Sequence, residues 1–379
     1  MSIRVKIIQA SSYFYPHIGG VETHCLELSQ SLRDLGHEVI VLCAEVPKSR
    51  PSEVLSGLTV HRFPAVNLPY IPYMYALRRR IAQFNADVVH SHYPPPFISY
   101  GAVKGLPHVP HVLTYHCDLE IPDNMANLRI PNVFKYLVDE VNTALYAKPI
   151  LDNVAQIIAT TESYARTSSV LRDYRYEIVP NGIRLETFDR HLLGLNGEKR
   201  RHQILFVGRL SSVKGVDYLV KAAKIVLSQV SDATFVIVGD GEERERLKRL
   251  ARGYEDRIRF CGHISRAALL KLYTSSSALV LPSFTRLEAF GLVLLEAMAC
   301  ETPVIASRIP GVLDVVGEGG LLVKPQDPSS LANAILEILE NPTNARSMGK
   351  KGRRSVEQKY DWKIIAQEIL DLYVNLIDA

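Results

Sequence analysis

The chain has 379 residues, is 47% hydrophobic and 22% charged, and carries a formal net charge of +4. That length suits two domains of ordinary size, and so apolar a composition excludes a disordered chain. So small a net charge argues against a dedicated DNA-binding protein, so no nucleic-acid partner is expected, although a local basic patch is permitted.

Apolar runs of strand length alternate with amphipathic stretches of helix length. "VKIIQA" is a buried strand, Gly19 and Gly20 open a helix that Gly36 ends near Leu35, and "EVIVLCA" is the next strand. "ADVVHSH", "HVLTYH" and "AQIIATT" follow. Runs apolar throughout, with helices between them, predict parallel strands covered on both faces. "NGEKRRHQ", Asn196 to Gln203, is charged and reads as a linker. The alternation then restarts with "ILFVGRL", "TFVIVGD", "RIRFCGH", "ALVLPS", "PVIAS" and "GLLVKP". The fold class is therefore α/β, with two Rossmann-like doubly wound domains facing across a cleft. We expect an N-terminal domain over 1–195 and a C-terminal domain over 196–360. The amphipathic helix over 361–379 leaves its partner open by periodicity, and we expect it to pack back on the N-terminal domain.

Ligands of such sheets bind beyond the carboxyl ends of the strands. Gly19 and Gly20 at the first strand-to-helix turn read as a close approach to an anion or sugar, or simply as a helix entry. "FVGRLSSVKG" sets Arg209 and Lys214 past a strand and before a helix. Two cations there oppose the helix dipole and suggest an anion between them; the alternative is two solvated surface cations. "VGDGEER" sets Gly239 and Gly241 after another strand; the dinucleotide fingerprint is incomplete, and a plain turn fits as well.

"RLEAFGLVLLEAMAC", Arg286 to Cys300, carries two glutamates in an apolar run. A helix starting near Ala289–Phe290 puts Glu288 at its mouth, beside the free N–H groups of Phe290, Gly291 and Leu292. Glu296 falls on the apolar face and needs a partner: ribose hydroxyls, a group elsewhere in the protein, or a helix turned to expose it. Eight residues of helix rise roughly 12 Å, beyond the roughly 5–9.5 Å of a glycosidase carboxylate pair. The two glutamates therefore suit the two ends of one elongated ligand with negative charge between, as in a nucleotide-sugar.

Glu288 and Glu296 resemble the E-x7-E motif of glycosyltransferase family 4 (glycosyl transferases group 1), a retaining family of GT-B fold. "IGGVE" resembles its N-terminal glycine loop, "VGRLSSVKG" its Arg/Lys phosphate site, "VPNGI" its interdomain segment and "EAMACETPVIAS" its E-A-M-A-x-G-x-P-V stretch. The resemblance implies that Arg209 and Lys214 bind the donor diphosphate, with Gly20 near it. It implies that Glu288 binds hydroxyls of the transferred sugar beside the amides of Phe290, Gly291 and Leu292, and that Glu296 binds the ribose. Ile264, in "CGHIS", falls where the family contacts the base through its backbone. His116, in "LTYHCD", matches the histidine beside the sugar; by itself it reads as a histidine at a strand end. Glu301 departs from the family's glycine and Asp314 from its usual glutamate, which bears on fine specificity.

The expected activity is transfer of a hexose (glucosyl, mannosyl or N-acetylhexosaminyl) from a UDP- or GDP-sugar to a lipid, lipid-linked sugar or other glycan. The alternatives are a nucleotide-sugar epimerase of the same fold and a nucleotide-sugar-binding module without turnover. No D-x-D triplet and no zinc-ligand spacing occur, so metal-independent catalysis is expected, with no cofactor. "NLPYIPYMYALRRRIAQF" sets Tyr70, Tyr73 and Tyr75 beside Arg78, Arg79 and Arg80, which fits either an anionic membrane surface or an ordinary helix with solvated arginines. Five cysteines, Cys25, Cys43, Cys117, Cys261 and Cys300, form no CxxC pair, so a reducing, cytoplasmic location is expected, with peripheral attachment to the membrane's cytoplasmic face as an option. The N-terminal apolar run is too short for a signal segment, and no run reaches the roughly 18 apolar residues of a spanning helix.

Overall fold

The computed structural model describes residues 4–17, 19–47, 49–68, 71–74, 77–119, 124–125, 128–129, 131–188 and 202–379. The chain divides into two compact units, Met1–Gly182 with Trp362–Ala379, and Ile183–Asp361. The contact division therefore falls at Gly182/Ile183, whereas the expected boundary at 195/196 lies outside the described residues.

The first unit holds strands β1 (Lys6–Ala10), β2 (Glu38–Ala44), β3 (Ser52–Leu55), β4 (Leu58–Phe63), β5 (Val66–Leu68), β6 (Ile71–Tyr73), β7 (Val88–Tyr93), β8 (His111–Tyr115), β9 (Asn124–Met125), β10 (Leu128–Arg129), β11 (Gln156–Ala159) and β12 (Glu177–Ile178). Its helices are α1 (Gly20–Asp34), α2 (Leu77–Ile81), α3 (Pro96–Gly105), α4 (Asn132–Asn142), α5 (Lys148–Leu151), α6 (Glu162–Thr167) and, from the far end of the sequence, α14 (Trp362–Ile377). The main sheet runs β12-β11-β8-β7-β1-β2-β4-β3, parallel except for β3 against β4. Strands β7 and β8 are buried at every residue, as a sheet covered on both faces requires. Helix α14 buries Trp362, Ile365, Ala366, Ile369, Leu370 and Tyr373, a helical stripe that joins one core with Cys25, Leu28 and Leu32 of α1.

The second unit holds β13 (Gln203–Val207), β14 (Thr234–Val238), β15 (Ile258–Gly262), β16 (Ala278–Leu281), β17 (Val304–Ser307) and β18 (Gly320–Val323). Its helices are α7 (Val216–Leu227), α8 (Arg244–Leu250), α9 (Arg266–Ser275), α10 (Leu292–Ala299), α11 (Val312–Val316), α12 (Pro328–Glu340) and α13 (Pro342–Lys359). The six strands are all parallel in the order β15-β14-β13-β16-β17-β18. Winding reverses between β13 and β16, so the loops leaving those two strands border the switch point where such sheets take ligands. Both units are Rossmann-like, as the sequence alternation predicts.

Three local expectations need correction. Gln203 is not linker but the buried first residue of β13. Helix α10 starts at Leu292 rather than near Ala289–Phe290, because Gly291 sits in left-handed backbone at φ +82° and the helix can begin only after it. The stretch from Asn67 holds a β5–β6 hairpin and the short α2, with Tyr70 and Tyr75 outside the described residues. Glu301 holds the turn after α10 in left-handed backbone, at φ +56°, which is the conformation that favours glycine there.

Candidate active site

The loops at the second unit's switch point bring the predicted charges together. Lys214 ends a short turn, Ser212–Lys214, between β13 and α7. Gly215 follows at φ +65°, and a Cβ there would lie 2.2 Å from the Pro282 carbonyl oxygen. Only glycine lets this loop lie against the end of β16. The approach carries Lys214 Nζ to 2.6 Å from Glu288 Oε2, which also accepts from Ser283 Oγ at 2.9 Å. The Glu288 side chain is 12% exposed and that of Lys214 27%, so this is a half-sheltered pair with a shared third partner. Arg209 Nη2 stands 3.4 Å from Glu242 Oε2 with both side chains mostly exposed, a contact too solvated to bind the guanidinium tightly. The structure thus pairs Lys214 with the glutamate and leaves Arg209 largely solvated.

Phe290 precedes α10 and is buried edge-on to Tyr360 at 6.1 Å; Gly291 caps the helix and Leu292 begins it. Glu296 lies one turn further in and accepts a hydrogen bond from the hydroxyl of Tyr273, a fully buried residue of α9. Burial pushes the Glu296 carboxyl up, while Tyr273 and Arg266 pull it down. Of the three readings for Glu296, the structure supplies a protein partner and leaves the residue only half-buried. Gly239 follows β14 and donates to the Gly262 carbonyl at 2.9 Å, so its local role is to join the β14 and β15 turns. Ile264, two residues beyond β15, is half-buried against the core formed with α10.

In the first unit, Gly19 caps α1 in extended backbone and Gly20 is its first residue. A Cβ on Gly20 would meet nothing within 4 Å, so crowding does not demand glycine there. His116 follows β8 and is buried. It belongs to a chain of polar groups. Gln9 Nε2 donates to Tyr373 Oη at 3.2 Å, which leaves the tyrosine hydrogen for His90 Nδ1. Gln9 Oε1 then accepts from His92 Nε2 at 3.0 Å, so His92 Nδ1 is an acceptor. At 3.2 Å from it, His116 Nε2 is the donor. His24 of α1 lies over this chain, its ring 4.8 Å from that of His116 and its side chain near Asn181, and among the described residues neither of its nitrogens makes a hydrogen bond of normal geometry. His24, His92 and His116 offer nitrogens within 4.8 Å of one another, the grouping among the described residues with the reach to hold a metal ion. Burial drives His24 down to about 4, and drives His90, His92 and His116 well below the usual imidazole value.

Two family models match almost end to end. "Glycosyltransferase Family 4" covers residues 18–187, and "Glycosyl transferases group 1" covers residues 194–355. The chain belongs to glycosyltransferase family 4. Among the relatives of this glycosyltransferase, phosphatidyl-myo-inositol mannosyltransferase from Mycobacterium leprae is 28% identical over 98% of this chain and 96% of its own. N-acetyl-alpha-D-glucosaminyl L-malate synthase from Bacillus anthracis is 26% identical, over 96% of each chain. Among solved structures, sucrose-phosphate synthase from Thermosynechococcus elongatus superposes with a TM-score of 0.78 at 28% identity, covering 98% of this chain and 99% of that one. The fold of the glycosyltransferase is accordingly GT-B, and it is an enzyme.

Sequence reading of the glycosyltransferase missed four side chains. Ser283 carried a weak signal, a hydroxyl just past a strand end. Tyr273 carried none, since its link to Glu296 spans 23 residues. His24 and His92 carried a pattern: one on the buried face of α1, the other alternating with His90 in a strand buried throughout. No helix among the described residues is long and apolar enough to cross a membrane.

Proposed function

We propose that the glycosyltransferase moves a hexosyl group, with retention and without a metal, from a UDP- or GDP-sugar to a lipid, a lipid-linked sugar or another glycan. The carrying observation is the Lys214–Glu288–Ser283 group at the switch point of an all-parallel sheet. The relatives named phosphatidyl-myo-inositol mannosyltransferase and N-acetyl-alpha-D-glucosaminyl L-malate synthase support a hexosyl group as the one transferred, and the first of them supports a lipid acceptor.

In this reading the donor diphosphate takes Arg209 and Lys214 as its cations. Glu288, held by Ser283, accepts hydroxyls of the sugar beside the amides of Phe290, Gly291 and Leu292. Glu296, steadied by Tyr273, accepts from the ribose hydroxyls. Backbone at Ile264 and Gly239 lines the base end. As the glycosidic C–O bond breaks, its electron pair goes to the leaving phosphate oxygen. Arg209 and Lys214 stabilise that charge as it develops. The acceptor hydroxyl attacks the same face and passes its proton to the leaving phosphate, so configuration is kept. Lys214 held on Glu288, the neighbouring guanidinium of the same loop and the absence of any D-x-D triplet in the sequence support working without metal. Five free cysteines support a cytoplasmic location, and exposed Tyr73 and Arg78, Arg79 and Arg80 support peripheral attachment.

Thermal unfolding with UDP, GDP, ADP or TDP, each with and without magnesium, tests this. A ligand at 100 times its dissociation constant adds about 2.7 kcal/mol. Stabilisation by UDP or GDP alone, lost in Arg209→Ala and Lys214→Ala, is the expected result. Stabilisation that appears only with magnesium overturns the metal-free mechanism, and none at all overturns the donor site.

A further inference from the structure

The helical stretch that runs from α4 through Thr143–Ala147 turns its apolar side outward. Val133, Tyr136, Leu137, Val141 and Leu145 are between 45% and 80% exposed, and they repeat at the three- and four-residue spacing of one helix face. The same face carries Ala144, one acidic residue, Glu140, and ends at exposed Lys148. A contiguous apolar stripe some four turns long is not ordinary surface.

Its surroundings say what covers it. Tyr146 stands edge-on to Phe97 at 5.0 Å and to Tyr100 at 5.5 Å, both on α3, and Phe97 meets the half-exposed Tyr73 at 5.2 Å. Helix α3 also seats α2, whose Leu77 and Ile81 are buried while Arg78, Arg79 and Arg80 all face solvent. Those three guanidiniums make no ion pair among the described residues. Lys104 of α3 sits over Tyr100 in the same region. An apolar stripe, aromatic rings at its margin and unpaired cations on a helix that shares α3 as its support complement a surface that is apolar inside and negative outside. A second copy of the chain would bring the same arginines and lacks that negative charge.

We propose that the α4 face is a membrane-docking surface, which inserts Val133, Tyr136, Leu137, Val141 and Leu145 into an anionic lipid bilayer while Arg78, Arg79 and Arg80 contact the headgroups. This deepens the peripheral attachment proposed above, on which it rests, by assigning the inserted surface to α4, and it holds or fails without any donor or acceptor present.

The test is co-sedimentation of the full chain with phosphatidylcholine vesicles, with and without phosphatidylglycerol. Binding is expected only to the anionic vesicles and falls with salt. The double variant Leu137→Glu/Leu145→Glu abolishes it, and Arg78→Gln/Arg79→Gln/Arg80→Gln weakens partitioning roughly a hundredfold. All five positions are exposed, so unchanged melting confirms that the variants fold. Tyr136→Trp reports insertion: its emission shifts to the blue on vesicles, whereas Trp362 is buried and silent. The proposal is overturned by equal binding to neutral vesicles, by binding that survives the double glutamate variant, by no binding at all, or by a dimer in light scattering that this variant dissolves.

Discussion

Acidification is the perturbation that discriminates most sharply between the two units. His24, His90, His92, His111 and His116 are buried in the first unit, and burial lowers each of them, His24 to about 4 and His111 to about 3. In the unfolded chain an imidazole protonates near 6.5. Below that pH the unfolded state takes up protons that the folded state refuses, so stability present above about 6.5 is lost as pH falls toward the folded values. Each histidine removes up to about 1.4 kcal/mol per pH unit in that window. The five act in one direction, offset in part by Glu22, Asp139 and Glu368 of the same unit, whose carboxyls burial raises, against a whole-domain stability of about 5–15 kcal/mol. In the second unit the described histidines, His202 and His263, are not buried, and Glu296 acts with the opposite sign. Its carboxyl is raised, so its ionisation costs stability at neutral pH and that cost is relieved on acidification. The assay uses the single tryptophan, Trp362, which lies in the first unit and is 2% exposed. Urea unfolding followed by its emission reports the first unit, while far-UV circular dichroism reports both. Between pH 7 and pH 5 the tryptophan midpoint is expected to collapse while a second dichroism transition persists. A tryptophan midpoint that moves no further than the second transition refutes the reasoning.

Lys214→Met leaves Glu288 with Ser283 alone; kcat/KM is expected to fall at least a hundredfold, and the fold to lose about 1–3 kcal/mol, read by steady-state kinetics and thermal melting. Glu296→Gln keeps an acceptor for Tyr273 and removes a charge whose burial is unfavourable. Melting at pH 8 should hold or rise while donor KM rises about tenfold or more. Gly215→Ala forces a Cβ onto the Pro282 carbonyl in left-handed backbone, which should cost at least about 2 kcal/mol in urea titrations and displace Lys214. Tyr373→Phe strands the ring nitrogen of His90 and the amide of Gln9 in a buried setting, a loss of about 2–4 kcal/mol visible in Trp362 emission.

Much of the fold was legible because its signals are local. Buried parallel strands read as unbroken apolar runs, and the residues after β13 and β16 announced themselves as charges and glycines where helices should begin. The onset of α10 was misread by two or three residues, because an apolar run does not reveal that Gly291 is left-handed. Partners were less legible than positions. Glu288 was visible as an odd carboxylate, but its tie to Lys214 crosses 74 residues and depends on how closely Gly215 lets two loops pack. Tyr373 reaches Gln9 across 364 residues, a pairing that no periodicity encodes. The outward face of α4 escaped for a related reason: the spacing marks an apolar side, and only the packing of α3 beside it shows that this side has no cover.

Helix α14 belongs to the first unit although 179 residues of the second stand between it and the rest of that unit. On the ribosome the second unit is a continuous segment, Ile183–Asp361, and it emerges whole. The first unit begins to emerge earlier, but its core lacks Trp362, Ile365, Ile369 and Tyr373 until the last stretch of the sequence is released. The unit synthesised first is therefore the one finished last. During translation, the polar chain on Gln9 and His90 must wait for a tyrosine hydroxyl more than two hundred and eighty residues downstream. A nascent chain stalled short of Trp362 would display a folded second unit and an open-cored first one.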